Sequence, residues 1–300
     1  MQVKANGICI EVEDTAADRS HAGRPAVLLI MGLGMQLVAW PAAFIQALMD
    51  QGFRVVRFDN RDIGLSQHFD HLPPPNLIWE GIKYRMRLPV KAPYSLHEMA
   101  ADALGVLDAL GIAQAHVVGV SLGGMIGQRM ALAAPRRVLS LCSVMSSSGA
   151  RYLPGPKRHV VQALLARPKE PSEQALVDHY TRLFTVIGSP GFPLDLAALR
   201  ERILLSIRRS FHPAGNVRQL TAMAADSRRA GELRAIQAPT LVLHGKDDPL
   251  VPFACGQDTA RRIPGAQLVG IHGMGHDLPP GVVARLLEAL VPHIQRTSPA

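Results

Sequence analysis

Gly119-Val120-Ser121-Leu122-Gly123 sets a serine between two glycines, directly after the apolar run AHVVGV and directly before the helix-like LGGMIGQRMALAA. A hydroxyl is a poor nucleophile at neutral pH, so such a serine needs a base to take its proton and a carboxylate to orient that base. On a sharp strand-to-helix turn its side chain stands exposed, and glycines two positions either side remove Cβ atoms that would meet the neighbouring strand and helix. Free N–H groups at the helix start then favour an oxyanion. The best-placed base is His276 in GMGHDLPP, a loop after the last apolar run, while His272 stands at the end of that run. The carboxylate is Asp247 or Asp248 in HGKDDPLVP, the loop after PTLVLHG. Together these residue types describe attack by a serine on an acyl carbon.

An oxyanion hole needs a second N–H beside that of Leu122, usually from the loop after an early apolar strand. Here that loop is Met31-Gly32-Leu33-Gly34-Met35, and Leu33 supplies the backbone donor. Gly32-x-Gly34 also opens like a dinucleotide fingerprint, but position 37 is Leu and no acidic ribose partner is marked. His272 and His276 have i, i+4 spacing, which converges on a metal only in a helix, and Gly273 and Gly275 argue for a loop. Cys9, Cys142 and Cys255 are far apart with no ligand spacing, which excludes a disulfide scaffold and structural zinc. No cofactor and no metal are expected. Met35, Trp40 and Met145 adjoin the loops that carry the chemistry and are candidates to line a substrate pocket.

These loops need a scaffold. QVKANGICIEVED alternates around Asn6-Gly7, a two-residue hairpin signal. AVLLIMG, FRVVRF, AHVVGV, RVLSLCSV, PTLVLHG and AQLVGI then read as strands, separated by helix-length segments, so βαβ units build a parallel sheet. Ser95-Leu96-His97-Glu98 has the form of a capping box opening a helix that runs to Gly111. Between Gly149 and Gly231 the buried-strand signal disappears and four helix-like pieces follow, punctuated by prolines from Pro154 to Pro213. Alternation resumes at Ala238, so residues 149–231 form a helical cap inserted into a core of residues 1–148 and 232–300. The cap is expected over the carboxyl edge of the strands, where ligands of open α/β sheets bind. Its Leu164, Leu165, Phe184, Ile187, Leu204 and Ile207 either line an acyl pocket or form the cap's own core.

With 48% apolar and 19% charged residues in 300, the chain can bury a sizeable core, which excludes disorder as its main state. The net charge of +8 raises nucleic acid or an anionic membrane as partners. Most of it sits between Gly149 and Arg234, where 14 Lys and Arg face 7 Asp and Glu on helix-like stretches without interleaved aromatics. That pattern reads as a solvated helical face, with no nucleic-acid partner. No apolar run is long enough to span a bilayer, and acidic residues occupy the amino-terminal stretch. The expectation is a cytoplasmic protein without membrane insertion, whose partner is a small-molecule ester substrate.

IMGLGMQLVAWP, FRVVRFDNRDIGLS, HVVGVSLGGMIGQ, LVLHGKDDPLVP and GMGHDLP together resemble the α/β-hydrolase family, and within it bacterial serine carboxylesterases, including those similar to aclacinomycin methylesterase. The resemblance covers most of residues 20–148 and 232–295. It implies an α/β fold with a mostly parallel eight-stranded sheet flanked by helices, and a helical cap. It places the acid at Asp248 rather than Asp247, so that Ser121, Asp248 and His276 are nucleophile, acid and base, with Leu33 and Leu122 as oxyanion donors. The implied reaction is hydrolysis of a carboxylic ester through an acyl-enzyme. A serine nucleophile also leaves open lactone hydrolysis, carbon-carbon bond hydrolysis and perhydrolysis, or a receptor that turns its ligand over slowly. Two positions depart from the family pattern. Met31-Gly32 replaces a frequent His-Gly, and Arg61-Asp62-Ile63-Gly64-Leu65-Ser66 replaces a frequent R-G-x-G-x-S turn; the latter reads as structural.

Overall fold

The Asn6-Gly7 pair takes positive φ at both positions, 49° and 81°, and joins β1 (Gln2–Ala5) to β2 (Ile8–Asp14) as an antiparallel hairpin. This is seen in a computed structural model that describes residues 1–16, 23–168, 170 and 172–298. The remaining strands are β3 (Ala26–Ile30), β4 (Arg54–Phe58), β5 (Ala115–Val120), β6 (Val138–Val144), β7 (Thr240–Gly245) and β8 (Gln267–Ile271). They form one sheet of order β1-β2-β4-β3-β5-β6-β7-β8, parallel from β4 to β8. β3 and β5 are buried along their whole length, which is why their sequences are continuous apolar runs.

Helices cover both faces. The core helices are α1 (Ala42–Asp50), α2 (Leu77–Arg85), α3 (Leu96–Ala109) and α4 (Leu122–Ala133). In β3 the period of two sends Leu28 and Ile30 toward α3 and α4, and Val27 and Leu29 toward the opposite layer, which α1 supplies with Phe44 and Leu48. The capping box is present: Glu98 N–H donates to Ser95 Oγ, and Ser95 N–H donates to Glu98 Oε2 at 2.8 Å. Helix α2 was not legible as a helix behind the proline run LPPPN; its one local mark is Asn76, whose Oδ1 accepts from Ile78 and Trp79 N–H at 3.1 Å.

Between β6 and β7 the chain is helical: α5 (Arg158–Leu165), α6 (Glu173–Ile187), α7 (Leu196–Arg209), α8 (Pro213–Ala225) and the short α9 (Arg229–Glu232). After β7 come α10 (Phe253–Arg262) and α11 (Pro280–Thr297), whose Leu286, Leu290 and Ile294 close the second layer. Among the described residues no helix is long and apolar enough to cross a membrane. The cap has a core of its own, in which Val177, Leu199 and Ile203 are buried and Phe184, Leu204 and Ile207 pack on them. Leu164 and Leu165 are exposed, so neither belongs to that core.

The cap's positive charge is not simply a solvated face. Arg208 and Arg200 do pair with Glu173 and Asp178 at the surface. Arg218 and Arg229, however, are fully buried, and Arg209 reaches inward. Arg218 holds Asp62 through two hydrogen bonds of 2.5 and 2.8 Å, inside the Arg61–Ser66 turn, which is structural as read. Arg61 in turn is gripped by Asp102 and lies over the rings of Phe69 and Tyr94. Burial alone would raise the Asp62 carboxyl, but the Arg218 hydrogen bond, the Phe69 N–H and the Arg218 charge outweigh it and hold the group below its ordinary value. Its stabilisation is therefore present above the unfolded-state pKa and is lost as pH falls through the lower folded one. Asp62→Asn, which leaves Arg218 with only half-satisfied charge in the interior, is expected to lower the unfolding free energy by about 3 kcal/mol at pH 7. Urea denaturation reads this, and the difference from the parent protein narrows below about pH 4.

Candidate active site

Ser121 stands at φ 54° and ψ −118°, a conformation that side-chain-bearing residues rarely adopt, and α4 begins at the next residue. Neighbouring groups hold it there. Ser121 N–H donates to Val144 O at 2.9 Å, and its carbonyl accepts from Ser146 Oγ at 2.6 Å. The glycines around it are forced by contact. A Cβ on Gly119 would lie 2.2 Å from Gly123 O, and one on Gly123 would lie 2.0 Å from Ile30 O. Gly123→Ala therefore pushes α4 off the end of β3. A loss of about 3 kcal/mol is expected, measured as a shift of the denaturation midpoint.

Gly32 is the point where the β3 loop meets the elbow, since a Cβ there would stand 3.3 Å from Ser121 Cβ. Residues 32–35 form a turn closed by Met35 N–H to Gly32 O at 3.1 Å, with Gly34 at φ 69° in the position that requires it. Such a turn leaves the N–H of its second residue, Leu33, outside the closing bond. Leu122 is the first residue of α4, where N–H groups have no partner within the helix. The two proposed oxyanion donors thus sit on adjoining loops.

The loops that carry the candidate acid and base meet beyond β7 and β8. His276 Nδ1 donates to Asp248 Oδ2 at 2.7 Å, which leaves Nε2 of the neutral ring as an acceptor. Asp248 is buried, and its Oδ1 accepts from Leu250 and Val251 N–H at 2.9 and 2.8 Å. His244, at the end of β7, donates Nε2–H to Val251 O at 2.7 Å and braces the same loop. Burial pushes its imidazole below the ordinary histidine value, so it stays neutral and leaves the Asp248 charge to His276. The two candidate carboxylates separate here. Asp247 accepts from Gly273 N–H at 2.7 Å, and Asp248 faces the histidine. His272 is turned to Lys246, with Nε2 2.7 Å from Nζ.

The pocket candidates are placed unequally. Trp40 and Met145 are buried in the core layer that contains Phe44, and Met35 packs partly exposed against it. Met145 is itself at φ 41° in the loop after β6.

Sequence reading did not reach the cap's grip on the site loops. Gln219, fully buried in α8, accepts from Gly34 N–H at 3.1 Å and donates to Arg61 O at 2.9 Å. Gln36 donates to Ser206 O and Ser210 O and accepts from Arg209 at 2.7 Å. On the other side His276 N–H donates to Ile187 O at 2.7 Å, and Gly275 N–H donates to Ser189 Oγ at 2.8 Å. The cap therefore holds both the β3 loop and the histidine loop.

Among the described residues one group could offer metal ligands, His68, Asp70 and His212. The two rings are stacked, 3.9 Å between centroids and 7° between planes, so their in-plane lone pairs do not converge on one ion. His212 spends Nδ1 on Asp62 O and His68 spends Nε2 on Gly64 O. The group ties cap to core.

A strained serine between sheet and helix, an Asp–His pair at the carboxyl ends of later strands, and a cap inserted after β6 define a hydrolase architecture. Residues 25–279 match the alpha/beta hydrolase fold family, and the chain belongs to it. Among its relatives is Rhodomycin D methylesterase DnrP of Streptomyces peucetius, 32% identical in an alignment 298 residues long that covers 90% of this chain and 92% of the relative. The fold is shared with a meta-cleavage product hydrolase, CumD, of Pseudomonas fluorescens IP01 (TM-score 0.75, 20% identity, 99% and 98% of the two chains). An enol-lactonase of Burkholderia xenovorans LB400 shares it as well (TM-score 0.70, 22% identity, 98% and 100%).

Proposed function

We propose that the chain is a serine carboxylesterase working through an acyl-enzyme. The observation that carries this is the 2.7 Å bond from His276 to buried Asp248, on loops of the same sheet edge that presents Ser121. Ser121 Oγ attacks the ester carbonyl while His276 Nε2 takes its proton, and the N–H groups of Leu33 and Leu122 receive the oxyanion. His276 returns the proton to the departing alcohol. Water then repeats the sequence on the acyl-Ser121 ester and frees the acid, with no cofactor or metal. The methylesterase relative supports a small leaving alcohol on a larger acid.

The test is a panel of methyl, ethyl and butyl esters, lactones and diketones, run beside covalent labelling with a fluorophosphonate and peptide mapping. Sustained turnover of methyl esters with the label on Ser121 supports the reading. A label elsewhere, diketones as the best substrates, or a single-equivalent burst followed by silence overturns it; the last result marks a receptor.

The cap's hold on the β3 loop has a kinetic consequence. Gln219→Ala frees Gly34, and with it the direction of the Leu33 N–H, without touching the acid–base pair. Misplacing a donor by about 1 Å can cost about 100-fold in rate, so kcat is expected to fall 10- to 100-fold. KM should stay within about twofold, because the oxyanion forms only after binding. Steady-state kinetics on one methyl ester separate the two constants.

A further inference from the structure

Helix α2 turns its polarity inside out. Its buried side chain is Glu80, which accepts from Lys83 Nζ at 2.7 Å and from Lys91 N–H at 3.0 Å. Its apolar side chains point to solvent instead: Ile78 is 79% exposed, Trp79 56% and Met86, just past the helix, 64%, with Ile82 exposed between them. At 100° per residue Ile78, Ile82 and Met86 fall on one stripe with Trp79 beside it, while Arg85 and Lys83 border the stripe on its two sides. From Leu77 to Lys91 four cations, Lys83, Arg85, Arg87 and Lys91, face a single carboxylate, which is the buried one. Apart from the Tyr84 hydroxyl, the exposed side chains of the segment are therefore apolar or cationic.

An exposed apolar face of this kind needs a partner. The partner must accept exposed apolar side chains and the cations that border them at the same time. A second copy docked by twofold symmetry would bring identical cationic borders together, and like charges at short range oppose that arrangement. A nucleic acid would satisfy the cations and leave Ile78, Trp79 and Ile82 against phosphate. An anionic bilayer satisfies both sets. Its phosphates meet Arg85, Arg87 and Lys91, and its headgroup–acyl boundary accepts aliphatic side chains and an indole. The chain's net charge of +8 favours approach to such a surface from a distance.

We propose that α2 is an interfacial docking helix that lies flat on anionic lipid, with Ile78, Trp79, Ile82 and Met86 seated at the headgroup–acyl boundary. It packs on α8, the helix that carries Gln219, so the docked face adjoins the cap. The proposal concerns binding and holds whether or not the chain cleaves esters.

The chain contains two tryptophans, and Trp40 is buried, so a change in indole emission on adding lipid reports Trp79. The full chain is mixed with vesicles of phosphatidylcholine containing phosphatidylglycerol and with vesicles of phosphatidylcholine alone, then pelleted, and its emission is recorded. Co-sedimentation with the anionic vesicles, a blue shift of the emission and little binding to the neutral ones are expected. Arg85→Glu with Arg87→Glu weakens the partition at least tenfold, a loss set by reversing two surface cations. Ile78→Ser with Ile82→Ser reduces both pelleting and the shift. These positions are solvent-exposed, and an unchanged thermal midpoint shows that each variant is folded. Absence from the anionic pellet, binding untouched by charge reversal, or a lipid-free dimer that buries Trp79 overturns the proposal. The last outcome assigns the face to a second copy.

Discussion

Ser121→Ala lowers kcat/KM for the best ester by at least about 10⁴-fold and abolishes fluorophosphonate labelling. The expectation follows from what the hydroxyl does and does not do. The neighbouring hydroxyl, Ser146 Oγ, is committed to the Ser121 carbonyl, so the residual rate is that of water attacking a carbonyl already held in the oxyanion hole. The hydroxyl is not needed for the fold. The bonds that pin the elbow are made by the Ser121 backbone, to Val144 O and from Ser146 Oγ. Alanine keeps the same Cβ at the same φ, so the denaturation midpoint should move by no more than about 0.5 kcal/mol in equivalent free energy. Loss of activity with an intact fold isolates the chemistry. Activity within tenfold of the parent protein would leave Ser121 without a catalytic role.

Legibility in this chain follows the range of the interactions. β5 starts and ends as its apolar run does, and β7 begins one residue inside PTLVLHG, because a strand buried on both faces writes itself as an uninterrupted run. The capping box at Ser95 and the hairpin at Asn6-Gly7 are likewise local, each complete within a few residues. Helix α2 was missed because the usual mark of a surface helix is an apolar face turned inward, and here the inward residue is Glu80. The basic cap was misread in part for a related reason. Composition counts Arg209, Arg218 and Arg229 as charge, while their partners, Asp59, Asp62 and Asp226, become visible only when chain segments meet. For the first two, about 150 residues separate the partners.

The site divides along the same line. The elbow is a five-residue pattern and could be read. The bond from Gly34 to Gln219 spans 185 residues, and neither end carries a chemical signature, since a glutamine in a helix is ordinary. Both loops that shape the site are held by the cap, through Gln36 and Gln219 on one side and Ile187 and Ser189 on the other. The geometry of the proposed site at the sheet edge is therefore completed by the insertion.

Asp248→Asn is expected to lower kcat about 10⁴-fold, whereas Asp247→Asn changes it by less than tenfold. The two residues are neighbours with the same side chain, which makes the comparison sharp. In the parent protein Asp248 Oδ2 accepts from His276 Nδ1, and Oδ1 accepts from Leu250 and Val251 N–H. An asparagine keeps its oxygen on those two backbone donors and turns its amide NH₂ toward Nδ1. The imidazole must then accept at Nδ1 and carry its proton at Nε2, where it can no longer take a proton from Ser121. Neither can the ring's positive charge be offset once it forms. Among the described residues the Asp247 side chain meets only Gly273 N–H, and an asparagine oxygen accepts that bond equally well. KM should stay close to the parent value in both variants, because Asp248 is buried against His276 and Asp247 is turned to Gly273 N–H. Equal losses in the two variants would mean that the loop is being disturbed as a whole, and the assignment of Asp248 as the group that orients His276 would fall.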